Sequence, residues 1–347
     1  MKAAILYAPE DLVYGQSSDP KPDRNNLIVK VQSATVCGTD IRIFKGQKTK
    51  GINYPAILGH EFAGEIVHSD VAGSFSIGNR VALCPFISCG RCKLCKTGKE
   101  NLCTNGQAFG YELSGAFAEY LSVPTTAVAA GNVKLLPEHV TTREAALLEP
   151  LACVINGQEK VSLRHGENVV ILGAGPIGLL HLKLAKSKGA AKIIVSDPNE
   201  KRLEIAHQWG ATRTINPINE NIFDVVSSET DGEGAHVVIC AIGKPELTKT
   251  ATQVAAFGGR VSLFAGFSSG ESADMDVNDI HYRELAIVGA FGLSRASFDK
   301  SFDLIASKSI NLEELITDEF PLSDVEQAFK VAASGDAIKV LISPTSS

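Results

Sequence analysis

No stretch of these 347 residues is apolar for long enough to cross a bilayer. The longest apolar run, Val169 to Leu180, is broken by three glycines and a proline. The opening MKAAILYAPEDL turns polar too soon for a secretory h-region, so a cytoplasmic protein is expected. A basic excess is missing too. The 33 Lys and Arg face 39 Asp and Glu, a net charge of −6, opposite to the balance of a general nucleic-acid binder. Neither membrane nor nucleic acid is therefore expected as a partner. The chain has no repeats, no low-complexity tract and no long linker. With 44% apolar and 21% charged residues it has a globular composition, which excludes general disorder. At ~100–200 residues per domain the length suggests two domains, large enough for cores that need no disulfide staples.

What is present is concentrated. Eight cysteines occur, and five of them, Cys84, Cys89, Cys92, Cys95 and Cys103, fall within twenty residues. In a reduced compartment such clustering points to metal rather than disulfides. Cys89-x2-Cys92-x2-Cys95-x7-Cys103 can wrap four thiolates around one zinc ion with no open position, which makes the site structural. An iron–sulfur cluster is the other reading of an all-thiolate set, and a disulfide pairing the weakest. Cys84 lies just outside the spacing and reads as a plain strand residue.

The first ~150 residues read as short strands, AAILY, LIVKVQSA, AGEIVHS, RVAL and AEYLSV, separated by turn formers. From Glu144 the pattern turns helical, EAALLEPLACVINGQEKV placing apolar residues at three- and four-residue steps. Buried-type strands and helices then alternate: ENVVILGAG, PIGLLHLKLAKSKG, AKIIVSD, NEKRLEIAHQWG, HVVICAIG, GRVSLFAG and LAIVGAF. That alternation predicts an α/β region with a doubly wound parallel sheet covered on both faces. The tail after about Gly292 predicts two helices and a closing strand, AIKVLIS, and is too short to fold alone. The expected boundaries are 1–152, with a metal lobe at 84–103, then 153–291, then 292–347 returning to the first domain.

Gly173-x-Gly175-x-x-Gly178 sits between a predicted strand and helix. The glycines suit a tight turn, close approach of a pyrophosphate and close helix–strand packing. Pro176 and Ile177 belong to the same predicted contact, Pro176 at an early helical position that needs no donor. Asp197 ends the next strand nineteen residues after Gly178. A carboxylate there accepts the ribose hydroxyls of NAD and repels the 2′-phosphate of NADP. Arg202 blunts that preference: it can stack on adenine or receive a phosphate. Ala265, Gly266 and Phe291, at strand ends, are candidate neighbours of the nicotinamide. Cys37, His60-Glu61 and Glu149 supply a thiolate, an imidazole and carboxylates. Such a set leaves a zinc position open for substrate, although each residue alone is more often structural.

These elements occur in a known order. Cys37-Gly38-Thr39-Asp40, Gly59-His60-Glu61, the four-cysteine run, Glu149-Pro150-Leu151 and GAGPIG resemble the zinc-containing medium-chain dehydrogenases over essentially the whole chain. The Glu-Pro-Leu element is similar to the polyol (sorbitol-type), polyol-phosphate and threonine dehydrogenase branch. The resemblance implies a GroES-like, β-rich catalytic domain with an inserted Rossmann domain. It also implies two zinc ions per subunit, one catalytic and one structural, and a homodimer or homotetramer. By that analogy Cys37, His60 and Glu149 surround the catalytic zinc, and Glu61 is a ligand or exchanges with water. Thr39 hands off the substrate proton, and Asp40 orients His60. Many relatives place a relay histidine where this chain has Arg42, which cannot shuttle protons near neutral pH.

The implied reaction is NAD-dependent oxidation of a secondary alcohol of a polyol or polyol phosphate, through an alkoxide on zinc and hydride transfer to nicotinamide. L-Threonine 3-dehydrogenase is the alternative enzyme, and a non-enzymatic NAD- and zinc-binding redox sensor the alternative of another class. Between Asp40 and Glu61 the chain carries Arg42, Lys45, Lys48 and Lys50 and no acid, a local +4. That stretch either attracts an anionic polyol, such as a sugar-alcohol phosphate or sugar acid, or is a solvated loop. Arg42, Phe44 and Arg295 are the candidate substrate contacts.

Overall fold

Strand-forming runs and glycine-rich turns dominate the start of the chain, and in the computed structural model they build three sheets, the smallest a two-stranded ribbon of Phe86–Ile87 and Gln107–Ala108. The structure describes residues 1–23, 26–71, 73–268 and 270–344; the last three residues of the returning tail lie outside the described residues. Contacts divide the chain into two units, Met1–Ala152 with Leu293–Ser347, and Cys153–Gly292.

The first unit is β-rich. Its larger sheet runs Val133–Leu135, Arg80–Leu83, Glu61–Ser69, Asn26–Thr35, Lys339–Ser343, Ile316–Pro321, and Tyr120–Pro124 also pairs with Asn26–Thr35. The central pair is antiparallel with Thr35 opposite Glu61. Lys339–Ser343 adds on the other side of Asn26–Thr35, with Leu341 opposite Thr35. Thr35 is thus flanked by strands from two distant parts of the chain. A smaller sheet, Asp11–Gln16, Lys2–Ala8, Ala56–Ile57, packs alongside. The core between them holds Phe62, Phe109, Phe117 and Phe329, with edge-on aromatic pairs.

The second unit is a six-stranded parallel sheet in the spatial order Arg213–Ile215, Lys192–Ser196, Asn168–Leu172, Ala235–Cys240, Ala255–Leu263, Ala286–Gly289. The order reverses beside Asn168–Leu172, the first strand in sequence, which is where ligands bind in such sheets. Val170, Leu172, Ile194, Val238 and Val261 form its core. The continuous apolar strands seen in the sequence are those of a sheet buried on both faces.

Two elements differ from expectation. The helical stretch expected from Glu144 is divided into two helices, Thr142–Ala145 and Leu148–Lys160. Pro150 explains the break: in one continuous helix its ring would meet the carbonyl of Ala146 and its missing N–H would leave that carbonyl unpaired. In the observed form Pro150 lies in the first turn, where no donor is needed. The strand Ile316–Pro321 was not anticipated at all. Only Ile316 and Phe320 are large and apolar in it, so no run or clear alternation announces it.

Gly64, opposite Val31 in the central strand pair, has no room for a side chain: a Cβ there would lie 2.1 Å from the Lys30 carbonyl oxygen. Gly64→Ala should therefore force the two strands apart and cost about 3 kcal/mol. A urea titration of the variant checks this, and an unshifted midpoint would refute it.

Candidate functional site

Strand pairing assembles the first site. Cys37 follows the end of Asn26–Thr35 and precedes the short helix Gly38–Phe44, while His60 precedes Glu61–Ser69. Because Thr35 and Glu61 are register partners, the two chain segments meet at this point. Gly59, at φ +97° and with the Phe117 ring 2.9 Å from where a Cβ would stand, turns the chain into His60. Ligand atoms of Cys37, His60 and Glu61 all lie within 4.8 Å of one another. A soft thiolate, an imidazole and a carboxylate at that separation fit one zinc ion with a position left open.

The surroundings are charged and buried. Asp40 is fully buried, accepts the Cys37 N–H at 2.9 Å and lies 3.3 Å from His60 Nδ1. Burial opposes a charged imidazole here, but the negative charges of Asp40 and Cys37 outweigh it and hold the His60 pKa well above its usual value. Glu61 is paired with Lys339, whose Nζ lies 2.8 Å from Oε1 and 2.6 Å from Oε2, and Oε2 also accepts the Thr35 hydroxyl. Burial works against the Lys339 charge as well. Glu61, Cys37 and Glu149 more than offset it, so the ammonium is retained. Glu149, in the first turn of Leu148–Lys160, is not among the donors that come within 4.8 Å, but its charge reaches Lys339 and Tyr111. Thr39 is half-buried in the first turn of Gly38–Phe44.

Neither Lys339 nor Thr35 was anticipated, although a single lysine opening the apolar strand KVLIS is a visible signal of a paired buried charge. The candidate substrate contacts scatter. Arg42 is exposed, Phe44 packs edge-on against Phe329, and Arg295 donates to the Ala130 carbonyl.

The second metal set is closed. Cys89, Cys92, Cys95 and Cys103 group within 4.8 Å, with sulfur separations of 3.4 Å for Cys92–Cys95 and 3.9 Å for Cys89–Cys95 and Cys92–Cys103. Tetrahedral zinc with Zn–S of ~2.3 Å requires sulfurs ~3.8 Å apart, whereas a disulfide requires ~2.05 Å. A multi-iron cluster would stand between the thiolates and hold them wider. Cys84 is buried outside this set, and burial pushes its thiol up to about 12, as it does for Cys240. Both are inert thiols.

The glycine motif forms a cradle in the second unit. Gly173 has φ +106°, and a Cβ on Gly178 would lie 1.8 Å from the Gly173 carbonyl oxygen. Helix Pro176–Ser187 begins directly after Gly175 with Pro176 at its start and Ile177 next. Asp197 is buried beside the loop, accepting the N–H of Ala174 at 2.7 Å and of Asn199 at 2.9 Å. The Arg202 guanidinium comes within 3.9 Å of the place a Gly175 Cβ would occupy. Ala265, Gly266 and Phe291 follow the carboxyl ends of their strands. The cradle fits a dinucleotide pyrophosphate, backbone N–H groups facing it and no Cβ in the way.

A β-rich unit with an open Cys-His-Glu set, joined to a parallel sheet with a dinucleotide loop, defines a metal-assisted, dinucleotide-dependent oxidoreductase. Family models agree. Residues 23–133 match the alcohol dehydrogenase GroES-like domain and residues 176–307 the zinc-binding dehydrogenase domain. The L-threonine 3-dehydrogenase of Pseudoalteromonas translucida (strain TAC 125) is 33% identical over 331 residues, covering 93% of this chain and 94% of that one. A protein from Sinorhizobium meliloti 1021, described as a zinc-binding dehydrogenase and solved with NADP bound, superposes with a TM-score of 0.92 at 31% identity over 99% of both chains. The L-idonate 5-dehydrogenase of Escherichia coli K-12 MG1655 gives 0.88 at 26% identity, over 99% of this chain and 97% of that one. The chain belongs to the zinc-containing medium-chain dehydrogenases, and it is an enzyme of that oxidoreductase class.

Two substitutions test this geometry. Lys339→Met leaves Glu61 buried without its partner, a loss of ~3–5 kcal/mol. At ~2–4 °C per kcal/mol for a unit of this size the metal-free protein should melt roughly 6–20 °C lower, with Lys339→Arg close to the parent; equal melting of all three would refute the pairing. Gly178→Ala should abolish dinucleotide binding, measured by quenching of protein fluorescence, because the new methyl occupies the turn; retained affinity would overturn the cradle.

Proposed function

We propose that this enzyme oxidises a secondary alcohol of a polyol or polyol phosphate to the ketone, with NAD as acceptor. The observation that carries the reading is the Cys37-His60-Glu61 donor set, its His60 and Glu61 buried and Cys37 half-buried, with Thr39 on the adjoining turn. Zinc held there would supply Lewis acidity toward a substrate hydroxyl, and a bound dinucleotide would serve as hydride acceptor. Cys37 and His60 would hold the metal, and Asp40, 3.3 Å from His60 Nδ1, would orient the ring. Glu61 and Glu149 supply the carboxylates, with Lys339 neutralising the charge around them. Thr39 Oγ1 takes the hydroxyl proton and passes it to water, since Arg42 cannot relay it. Gly173, Gly175 and Gly178 admit the pyrophosphate, and Asp197 receives the adenosine ribose.

NAD is favoured because the Asp197 carboxylate, pinned by two backbone N–H groups, would face a 2′-phosphate. The NADP in the Sinorhizobium relative and the nearness of Arg202 point the other way, and we weigh the carboxylate more heavily. A sugar-acid dehydrogenase among the relatives supports the polyol class. The second reading, L-threonine 3-dehydrogenase, is favoured by the names of the sequence relatives. Arg42 at the relay position counts against it. We place the reaction in the cytoplasm, where eight reduced cysteines are stable. We also propose a homo-oligomer built on the outermost strand Ala286–Gly289, whose free edge can pair across a two-fold.

NADH formation across a panel of polyols, polyol phosphates, sugar acids and L-threonine tests the reading. Polyol-class turnover is expected, and turnover of threonine alone would replace it with the second reading. Cys37→Ala should remove turnover while leaving NADH binding within about twofold. A parent protein that turns over nothing, yet binds NADH and zinc, would be the redox sensor.

A further inference from the structure

The +4 stretch resolves into unlike residues. Arg42, Lys45 and Lys50 are exposed; Lys48 alone is half-buried. Its ammonium sits 4.7 Å over the Tyr111 ring and donates to the Tyr111 hydroxyl at 3.2 Å. The same Tyr111 ring lies 5.6 Å from the ring of His60, a metal donor. Lys48 is thus one side chain removed from the metal set. Its backbone N–H is tied to the Arg42 carbonyl at 3.2 Å, which holds the loop against the helix before it.

Lys48 has no carboxylate within ion-pair distance among the described residues. Burial lowers its pKa and the Arg42 charge adds to this, while the charges of Cys37, Asp40 and Glu112 only partly oppose them. Contrast Lys339, which touches the donor set directly and is ion-paired on both oxygens of Glu61. An ammonium has three N–H donors, and Tyr111 takes one. The protein holds a partly desolvated cation beside the metal set and leaves two of its donors for something else.

We propose that Lys48, held in place by Tyr111, is a specificity-determining residue that binds an anionic group, phosphate or carboxylate, on the alcohol being oxidised. The proposal rests on the dehydrogenase reading above and sharpens it from an alcohol in general to one carrying negative charge. A charge-assisted hydrogen bond in a partly dry site discriminates strongly against a neutral analogue. Exposed cations screened by salt do not.

The test uses the full-length, zinc-loaded enzyme with NAD and matched substrate pairs: a hexitol against its phosphate, the same hexitol against the corresponding hexonate, and L-threonine against L-threoninol. The parent should prefer the anionic member of the pair it uses, and the first two pairs tell phosphate from carboxylate. Lys48→Met should cut kcat/KM for that anionic member ~10- to 100-fold more than for its neutral partner, chiefly through KM. Lys48→Arg should recover most of the preference, and Lys45→Met, at an exposed neighbour, should leave it intact. In Lys48→Met the salt dependence of kcat/KM for the anionic member should persist, because the exposed cations that salt screens remain. Absence of anionic preference in the parent, or an equal fall for both members in Lys48→Met, overturns the proposal. If only the threonine pair is turned over, the polyol reading fails while the threonine-to-threoninol ratio still judges Lys48. Turnover of no pair overturns both.

Discussion

The buried ion pair between Glu61 and Lys339 is the constraint on which the metal site depends. An unpaired carboxylate at that depth would be costly, and so would an unpaired ammonium. Together, with the Thr35 hydroxyl as a third partner, they are satisfied. The pair also joins 278 residues of sequence separation. Lys339 opens the last strand, and that strand reaches Glu61 only by pairing with Asn26–Thr35. The donors that precede the parallel-sheet unit are therefore completed by chain that follows it. This gives a physical reason for the discontinuous first unit: its functional centre includes residues from both ends.

The same pair bears on which carboxylate serves a metal. Cys37, Glu61 and Glu149 all place negative charge near Lys339. One ammonium among three anions leaves an excess that a divalent cation balances. Glu61 lies in the donor set, yet both of its oxygens already face Lys339. A carboxylate that shares its charge with an ammonium is a weaker donor than one that does not. Sequence spacing cannot distinguish the two glutamates, because the distinction is made by a lysine nearly two hundred residues beyond Glu149.

Much of the architecture is legible in residue patterns, and the reason is local. Strand and helix periodicity, the glycine motif and the four-cysteine spacing each involve neighbours in sequence. Gly178 must be glycine because of a carbonyl five residues away. Illegible features are those set by distant chain. The strand Ile316–Pro321 has little pattern of its own and exists because Lys339–Ser343 offers it an edge. Tyr111 beside His60, and Lys48 on Tyr111, follow from how loops fold over the sheet. The broken helix at Ala146–Leu147 was legible in principle: Pro150 is in plain view, and the apolar spacing around it masked the interruption.

That contrast matters most for the charged stretch. As a sum of four residues it suggests a diffuse positive field, and a diffuse field chiefly changes encounter rates. Beyond ~8 Å in physiological salt, such charges are largely screened. Burial separates the four. Three cations in solvent can steer an anion toward the site but bind it weakly once there. Lys48 has less solvent to compete with and a rigid aromatic to hold it. A contact of that kind acts on the bound complex, so it can choose between substrates that arrive equally often. The charge total alone is compatible with a solvated loop; it is the half-buried position of Lys48 that makes a contact with a substrate anion the sharper proposal.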